Sequence, residues 1–407
     1  MIGEIIAIGD ELTSGRIVNT TSGLAAHELF LLGHEILAMH TVGDAPALIG
    51  ATLTAAIARS DFVIVTGGLG PTTDDLTNEA VIAALGTAGT VHPGVRANIE
   101  ARAQDTETLA SLAKLAWLPE GAEVLDPACR MAGYLLRHQG KPIWFLPGVP
   151  PQMEILLHTQ VLPGLQALDR ALPVRQTVYH TCGLFEIEVN RRLRPLEDQG
   201  WAIGYYPAGS EVHVSLTARQ TADGTTDPGF QAADAFIRGA LGDNIYGVDG
   251  EPLAEAAGRL LQHQGLMLGV AESCTGGLIG ATLTAVPGSS RWFKGGVIAY
   301  ANDIKEQLLG VDPALLARCG AVSGEVAQAM ASGARQRLGC DIAVAVTGIA
   351  GPDGGSQDKP VGTVYLGLSA RDTVTDQLCR FTGSRRQIQE KTAQTAVDMV
   401  RRALLVR

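Results

Sequence analysis

The chain has 407 residues, enough for two or three domains, and is 46% hydrophobic against 18% charged, a balance that excludes a disordered protein. A net charge of −11 with no Lys/Arg run longer than a pair disfavours nucleic acid as a partner. No stretch approaches the roughly 18 consecutive apolar residues of a membrane span. The start MIGEIIAIGDEL lacks the regions of a signal peptide, and the scattered cysteines 129, 182, 274, 319, 340 and 379 read as reduced thiols. A soluble, cytoplasmic protein without membrane partners is expected.

Residues 1–170 alternate strand-like and helix-like runs. EIIAIGDEL reads as a strand ending at Gly9-Asp10-Glu11, and TSGLAAHELFLLG as a helix stopping at Gly33. HEILAMHTVGD, APALIGATLTAAIARS and DFVIVTGGLGPTTDD give strand, helix and strand, and KPIWFLPGVPPQME repeats strand, loop and helix. Such alternation predicts βαβ units and a mostly parallel sheet, whose ligands bind beyond the carboxyl ends of the strands. Those ends carry Asp10, Asp44, Gly67, Gly68, Gly70, Thr73, Asp74 and Asp75. Glycine-loop N–H groups suit phosphate, and several carboxylates on one edge suit a hard divalent cation. The alternative is that Asp74 and Asp75 cap the helix LTNEAVIAALG.

Residues 171–250 read as a small α+β module. VRQTVYHTCG, WAIGYYPAG and EVHVSLTARQ are strand-like, FEIEVNRRLRPLE and FQAADAFIRGALG are helix-like, and TADGTTDPG is a polar turn. The GxxG at Gly239-Ala240-Leu241-Gly242 has the form of a KH loop but holds no basic residue. A helix C-terminus is the better reading, and nucleic acid is not expected to bind there.

From residue 251 a third α/β domain begins with the helix EPLAEAAGRLLQHQG and the strand LMLGVAES. Ser273 stands between that strand and the helix GGLIGATLTAV. It can cap the helix, worth about 1 kcal/mol, or act as a nucleophile whose oxyanion the helix N–H groups stabilise. Cys274 is a rival nucleophile or a small buried residue. In GGVIAYANDIKEQLLG, Asp303 and Glu306 have capping-box spacing, which puts Lys305 in a first helical turn. A cation opposes the macrodipole there at about 0.3–1 kcal/mol, and the same field lowers its pKa. Lys305 is therefore either a general base or a solvated surface lysine. Tyr300, which also ends a strand, belongs on the same sheet edge.

AESCTGG, GGVIAYANDIK, TGIAGPDGG and FTGSRR together resemble the CinA family over the whole chain. Its C-terminal domain is similar to PncC-type nicotinamide mononucleotide deamidases. The resemblance implies Ser273 as nucleophile with Lys305 and Tyr300, an oxyanion hole at Thr275, Gly276 and Gly277, and phosphate contacts from Thr347, Gly348 and Arg385, with Arg386 as a second candidate. No cofactor is expected at this site. Where the family commonly has a second arginine, this chain has Gln389. GDEL…TGGLGPTTDD resembles the MoaB/MogA molybdopterin-binding fold, which in CinA proteins is associated with a metal-dependent ADP-ribose pyrophosphatase. Asp10, Asp44, Asp74 and Asp75 are then the expected metal ligands, and Gly67, Gly68, Gly70 and Thr73 the substrate loop. The family often has asparagine where Thr21 stands. The expected architecture is a MoaB/MogA-like doubly wound domain (1–170), a KH-like α+β module (171–250) and an α/β deamidase domain (251–407), assembled as a homodimer. Two alternatives stay open: molybdopterin as the first domain's ligand, and a scaffold in competence or recombination.

Overall fold

The strand Ile2–Ile8 is buried at every position but its first. A strand covered on both faces belongs mid-sheet in an α/β layer structure, and that is its place in the computed structural model. The described residues are 1–103, 105, 109, 111–126, 128–169, 171–221 and 228–405. The chain divides into two compact units, Met1–Arg175 with Arg219–Asp227, and Gln176–Ala218 with Pro228–Arg407.

In the first unit the sheet order is Glu35–Val42, Ile2–Ile8, Phe62–Thr66, Lys141–Leu146, Tyr134–His138, Glu123–Val124. The first four strands are parallel, and the last two run antiparallel to them in turn. Strand alternation splits the core in two. Ile6, Ile8, Val63 and Val65 pack with Ile49 and Leu53 of the helix Pro46–Arg59. Ile5, Phe62 and Ile64 pack on the other face with Ala25, Leu29 and Met153. The result is the expected doubly wound sheet.

The second unit holds two sheets. One is antiparallel, in the order Ala202–Ala208, Glu211–Arg219, Val174–Cys182, Ile245–Val248, with the helices Glu186–Glu197 and Pro228–Leu241 packed on one face. Gly239 to Gly242 run out of the end of the second helix, as a helix C-terminus. Residues 222–227 of the anticipated polar turn lie outside the described residues. The other sheet has the order Phe293–Ile298, Leu268–Glu272, Ile342–Gly348, Thr363–Ala370, Thr373–Arg380, the first three parallel and the last two antiparallel. Two strands were not apparent in the sequence. Ile245–Val248 has only four residues, and Thr373–Arg380 is an edge strand exposed at nearly every position, so neither shows apolar periodicity. Among the described residues no helix is long and apolar enough to cross a membrane.

Candidate active sites

The strand Leu268–Glu272 delivers Ser273 to the carboxyl edge of its sheet, where the Ser273 N–H donates to the Val346 carbonyl at 3.1 Å. The chain then turns through Gly277, at φ 104, into the helix Leu278–Thr284. That conformation costs an L side chain energy that glycine avoids. The neighbouring strand Phe293–Ile298 pairs Ile298 with Glu272, so the following helix, Asn302–Leu309, starts beside Ser273.

Lys305 points inward from that helix and is 1% exposed. Its Nζ lies 3.1 Å from Ser273 Oγ, 2.8 Å from the Ala299 carbonyl and 3.1 Å from the Tyr300 carbonyl. Among the described residues no carboxylate pairs with it, and burial pulls its pKa below the usual 10.5. A neutral amine has two N–H donors and one lone pair. When the amine is neutral, the two carbonyls take its donors and its lone pair is left for the Ser273 hydroxyl proton. The anticipated capping box does not form: Ala301 is the N-cap, Asp303 lies within the first turn, and no side chain caps the helix. The solvated-lysine alternative fails as well, because the side chain is 1% exposed.

This burial has a measurable consequence. Between the lowered folded pKa of Lys305 and its ordinary 10.5, the unfolded chain binds the proton that the folded chain has released. Stability then rises with pH across that window. Urea titrations through the alkaline range should show this slope in the native protein and lose it in Lys305→Met; equal slopes would place the lysine in solvent.

Cys274 is 5% exposed, and burial pushes its thiol up to about 12, so its thiolate is scarce at neutral pH and Ser273 is the better nucleophile. The loop after Ser273 differs from expectation. The Glu272 carboxylate, 1% exposed, accepts the N–H groups of Gly277, Ile279 and Gly280 at 2.9, 3.1 and 2.8 Å. Gly276 N–H donates to the Ser273 carbonyl at 3.2 Å. Gly276 and Gly277 therefore shape the loop and have no N–H to spare. Among the described residues the N–H groups of Cys274 and Thr275, which directly follow Ser273, donate to no backbone carbonyl. The Thr275 hydroxyl is buried without a partner.

The other expected residues divide. Tyr300 touches Lys305 only through its carbonyl; its side chain is exposed, and its hydroxyl accepts from Arg385 at 2.9 Å. Arg385, first residue of the helix Arg385–Leu405, also donates to the Gly351 carbonyl at 2.7 Å. The Thr347 hydroxyl donates to the Ala321 carbonyl at 2.7 Å, so its side chain is already engaged, and Gly348 ends the strand beside it. Arg386 pairs with Glu390 at 2.6 Å. Gln389 donates to the Cys274 carbonyl at 2.8 Å, a brace on the residue after the nucleophile.

In the first unit the strand ends surround a cleft of about 640 Å³, lined among others by Glu11, Asp44, Gly67, Gly68, Gly70, Asp74 and Asp75. Gly67 stands at φ 97, and a Cβ there would meet the Ile8 carbonyl at 2.2 Å, so only glycine fits. Asp10 and Asp44 each accept the other's N–H, at 3.1 and 2.8 Å. Burial raises the Asp44 pKa, and the charges of Asp10, Glu11 and Asp74 add to it. Asp75 accepts the N–H and hydroxyl of Thr72 at 2.9 and 2.6 Å, and Lys114 donates to the Thr72 and Asp75 carbonyls. Neither Asp74 nor Asp75 caps the helix Thr77–Leu85, whose N-cap is Leu76 without a side-chain bond. Asp75 closes the loop, and Thr73 is exposed and outside the cleft lining. Among the described residues no three of these carboxylates bring ligand atoms within 4.8 Å of one another. Thr21 donates to Asn19, the N-cap of the helix Thr20–Leu31.

Glu272, Lys114 and the Gln389 contact escaped the sequence reading. Glu272 had one signal, a carboxylate at a strand end just before a glycine turn and a helix N-terminus.

Family descriptions match the chain in three consecutive stretches: "Probable molybdopterin binding domain" over residues 4–167, "Damage-inducible protein CinA KH domain" over 176–247 and "CinA C-terminal domain" over 250–404. A CinA-like protein of Desulfotalea psychrophila is 49% identical, covering 99% of this chain and 98% of its own length. A CinA-like protein of Citrifermentans bemidjiense is 40% identical, covering 99% and 97%. Among solved structures, the competence/damage inducible protein CihA of Agrobacterium tumefaciens is 44% identical over 38% of this chain and 94% of its own, with a TM-score of 0.37. The chain belongs to the CinA family, with a molybdopterin-binding-type domain, a CinA KH domain and a CinA C-terminal domain in that order.

Proposed function

We propose that the C-terminal domain hydrolyses the carboxamide of nicotinamide mononucleotide to nicotinate mononucleotide and ammonia. The observation that carries this reading is the buried Lys305 Nζ, 3.1 Å from Ser273 Oγ and free of any carboxylate among the described residues. Lys305 takes the hydroxyl proton as Ser273 attacks the amide carbon. The oxyanion faces the N–H groups of Cys274 and Thr275. Lys305 returns its proton to the departing nitrogen, giving ammonia and an acyl-enzyme, and the same amine activates the water that releases the acid. Arg385, with one N–H on the Tyr300 hydroxyl, offers its guanidinium to the nucleotide phosphate. The test is ammonia release from nicotinamide mononucleotide by the full chain. Absence of turnover in a well-folded preparation would remove the reading.

For the first domain we propose a divalent-cation-dependent pyrophosphatase acting on ADP-ribose. The support is a glycine loop beside Asp44, whose carboxyl is raised by burial and by three neighbouring acids, a negative pocket that a cation relieves. Glu11, Asp44 and Asp74 line the cleft; their carboxylates do not converge within 4.8 Å, so holding the ion would draw their side chains together, and the ion would supply charge neutralisation for the pyrophosphate. Asp75 is reassigned from ligand to loop closure. Asp44→Asn should abolish metal-dependent AMP release while leaving ammonia release untouched, and metal-independent hydrolysis would sink the cation argument. The molybdopterin-binding description of this domain favours a second reading; a protein that binds molybdopterin but not ADP-ribose would establish it.

A further inference from the structure

The antiparallel sheet of the second unit has two faces of different chemistry. Tyr179, Val212, Val214 and Leu216 pack into its own core, so the alternate residues His180, Glu211 and His213 stand on the opposite face. Glu211 and His213 are two apart on one strand, and His180 comes from the strand beside it. One ligand atom from each lies within 4.8 Å of the others. We propose that His180, Glu211 and His213 form a binding site for a divalent transition-metal ion, zinc first among them.

Three features support the site. First, the donor set matches zinc: two imidazoles and a carboxylate make a three-ligand shell with a fourth position for water. Ligands at about 2.0–2.2 Å from a tetrahedral ion lie roughly 3.4 Å apart, so side-chain rotations of about an ångström close the shell. Second, Glu211 is 9% exposed, yet no lysine or arginine pairs with it among the described residues; the His213 ring lies 3.1 Å from its carboxylate. A buried carboxylate with no lysine or arginine partner among the described residues gains from the countercharge of a divalent cation. Third, an outer shell is already built. Tyr246 donates to Glu211 Oε2 at 2.6 Å, which fixes the carboxylate as outer partners of metal ligands do.

One existing contact must give way. His180 Nε2 accepts the Gly250 N–H at 3.1 Å, and Nδ1 lies 3.4 Å from the Tyr246 hydroxyl. Ligation through Nδ1 moves the ring proton to Nε2 and releases Gly250, which lies in an exposed turn where water can replace the contact. The ion would tie the strands Val174–Cys182 and Glu211–Arg219 together, a structural role rather than a catalytic one.

The experiment uses the full chain after chelator dialysis, titrated with zinc in competition with a chromophoric chelator and separately with cobalt. Asp44→Asn removes the first-domain carboxylate from consideration. The expected result is one zinc equivalent that survives Asp44→Asn and disappears in His180→Ala/His213→Ala. Cobalt should give the intense visible bands of a tetrahedral, nitrogen-ligated ion, and Tyr246→Phe should weaken zinc about 10–100-fold. If the double variant fails to fold, Glu211→Gln keeps the shape and carries the same comparison. Equal stoichiometry and affinity in native and ligand variants, or a weak octahedral cobalt spectrum, would overturn the site.

Discussion

Lys305→Met should lower ammonia release from nicotinamide mononucleotide by roughly 10²–10⁴-fold, the usual contribution of a general base. Methionine keeps most of the volume and removes the amine that stands 3.1 Å from Ser273 Oγ. Ser273→Ala and the double variant should be equally inactive, because members of one catalytic unit are not additive. Arginine at 305 should not restore turnover. A guanidinium stays protonated, and its planar fork has no room at a position 1% exposed. Substantial activity in Lys305→Arg would mean that the residue serves only as a positive charge. The stability result separates two physical pictures. A lysine opposing the macrodipole at the surface would leave Lys305→Ala a few tenths of a kcal/mol more stable. The buried lysine makes the opposite prediction: alanine leaves a cavity and deprives the Ala299 and Tyr300 carbonyls of their donor, at about 1–3 kcal/mol for each buried group left unsatisfied. Denaturant titration of Lys305→Ala reads the sign directly.

The sequence made the backbone plan legible where periodicity is strong. Ile2–Ile8, Phe62–Thr66 and Leu268–Glu272 are buried runs bounded by turn residues, and each is a central strand. The pairing of Ser273 with Lys305 was legible through motif spacing, since both follow parallel strands and parallel strands deliver their ends to one edge. What a one-dimensional pattern hides is which hydrogen-bonding group is already engaged. Thr347 was expected to offer phosphate a backbone donor, and its hydroxyl is engaged by the Ala321 carbonyl. Asp75, expected as a metal ligand, has one carboxylate oxygen engaged in a turn with Thr72. Tyr300 looked like a partner of the nucleophile, and its side chain turns outward to Arg385. The His180, Glu211 and His213 cluster was invisible for another reason: its members meet only when two strands distant in sequence become neighbours.

The second large effect belongs to Glu272, which touches neither Ser273 Oγ nor Lys305 yet sets the loop between them and the helix. Three N–H groups converge on its two oxygens, Gly277 and Ile279 on one and Gly280 on the other. The helix Leu278–Thr284 has no side-chain cap at Gly277, so this carboxylate satisfies the donors that a helix start leaves orphaned, and its charge complements the macrodipole. Glu272→Ala strands these donors in a buried place, at a cost on the order of 3 kcal/mol, which lowers the melting midpoint of a unit this size by roughly 6–12 °C. Glu272→Gln is the finer probe. One amide oxygen can keep the Gly277 and Ile279 bonds, but the amide nitrogen then faces the Gly280 N–H, donor against donor. Stability should fall by a smaller amount, about 1–2 kcal/mol. The activity readout distinguishes a positioning residue from a merely structural one. If Glu272 fixes the loop that presents the Cys274 and Thr275 N–H groups, kcat should drop by about 10²–10³, as for a lost oxyanion donor. KM should change little, because Arg385, the residue proposed to meet the phosphate, lies on a different helix. The alkaline slope of stability assigned to Lys305 should persist in Glu272→Gln. A variant that melts early but turns over with native kcat once folded would reduce Glu272 to a helix cap, and the oxyanion donors would then have to be sought away from this loop.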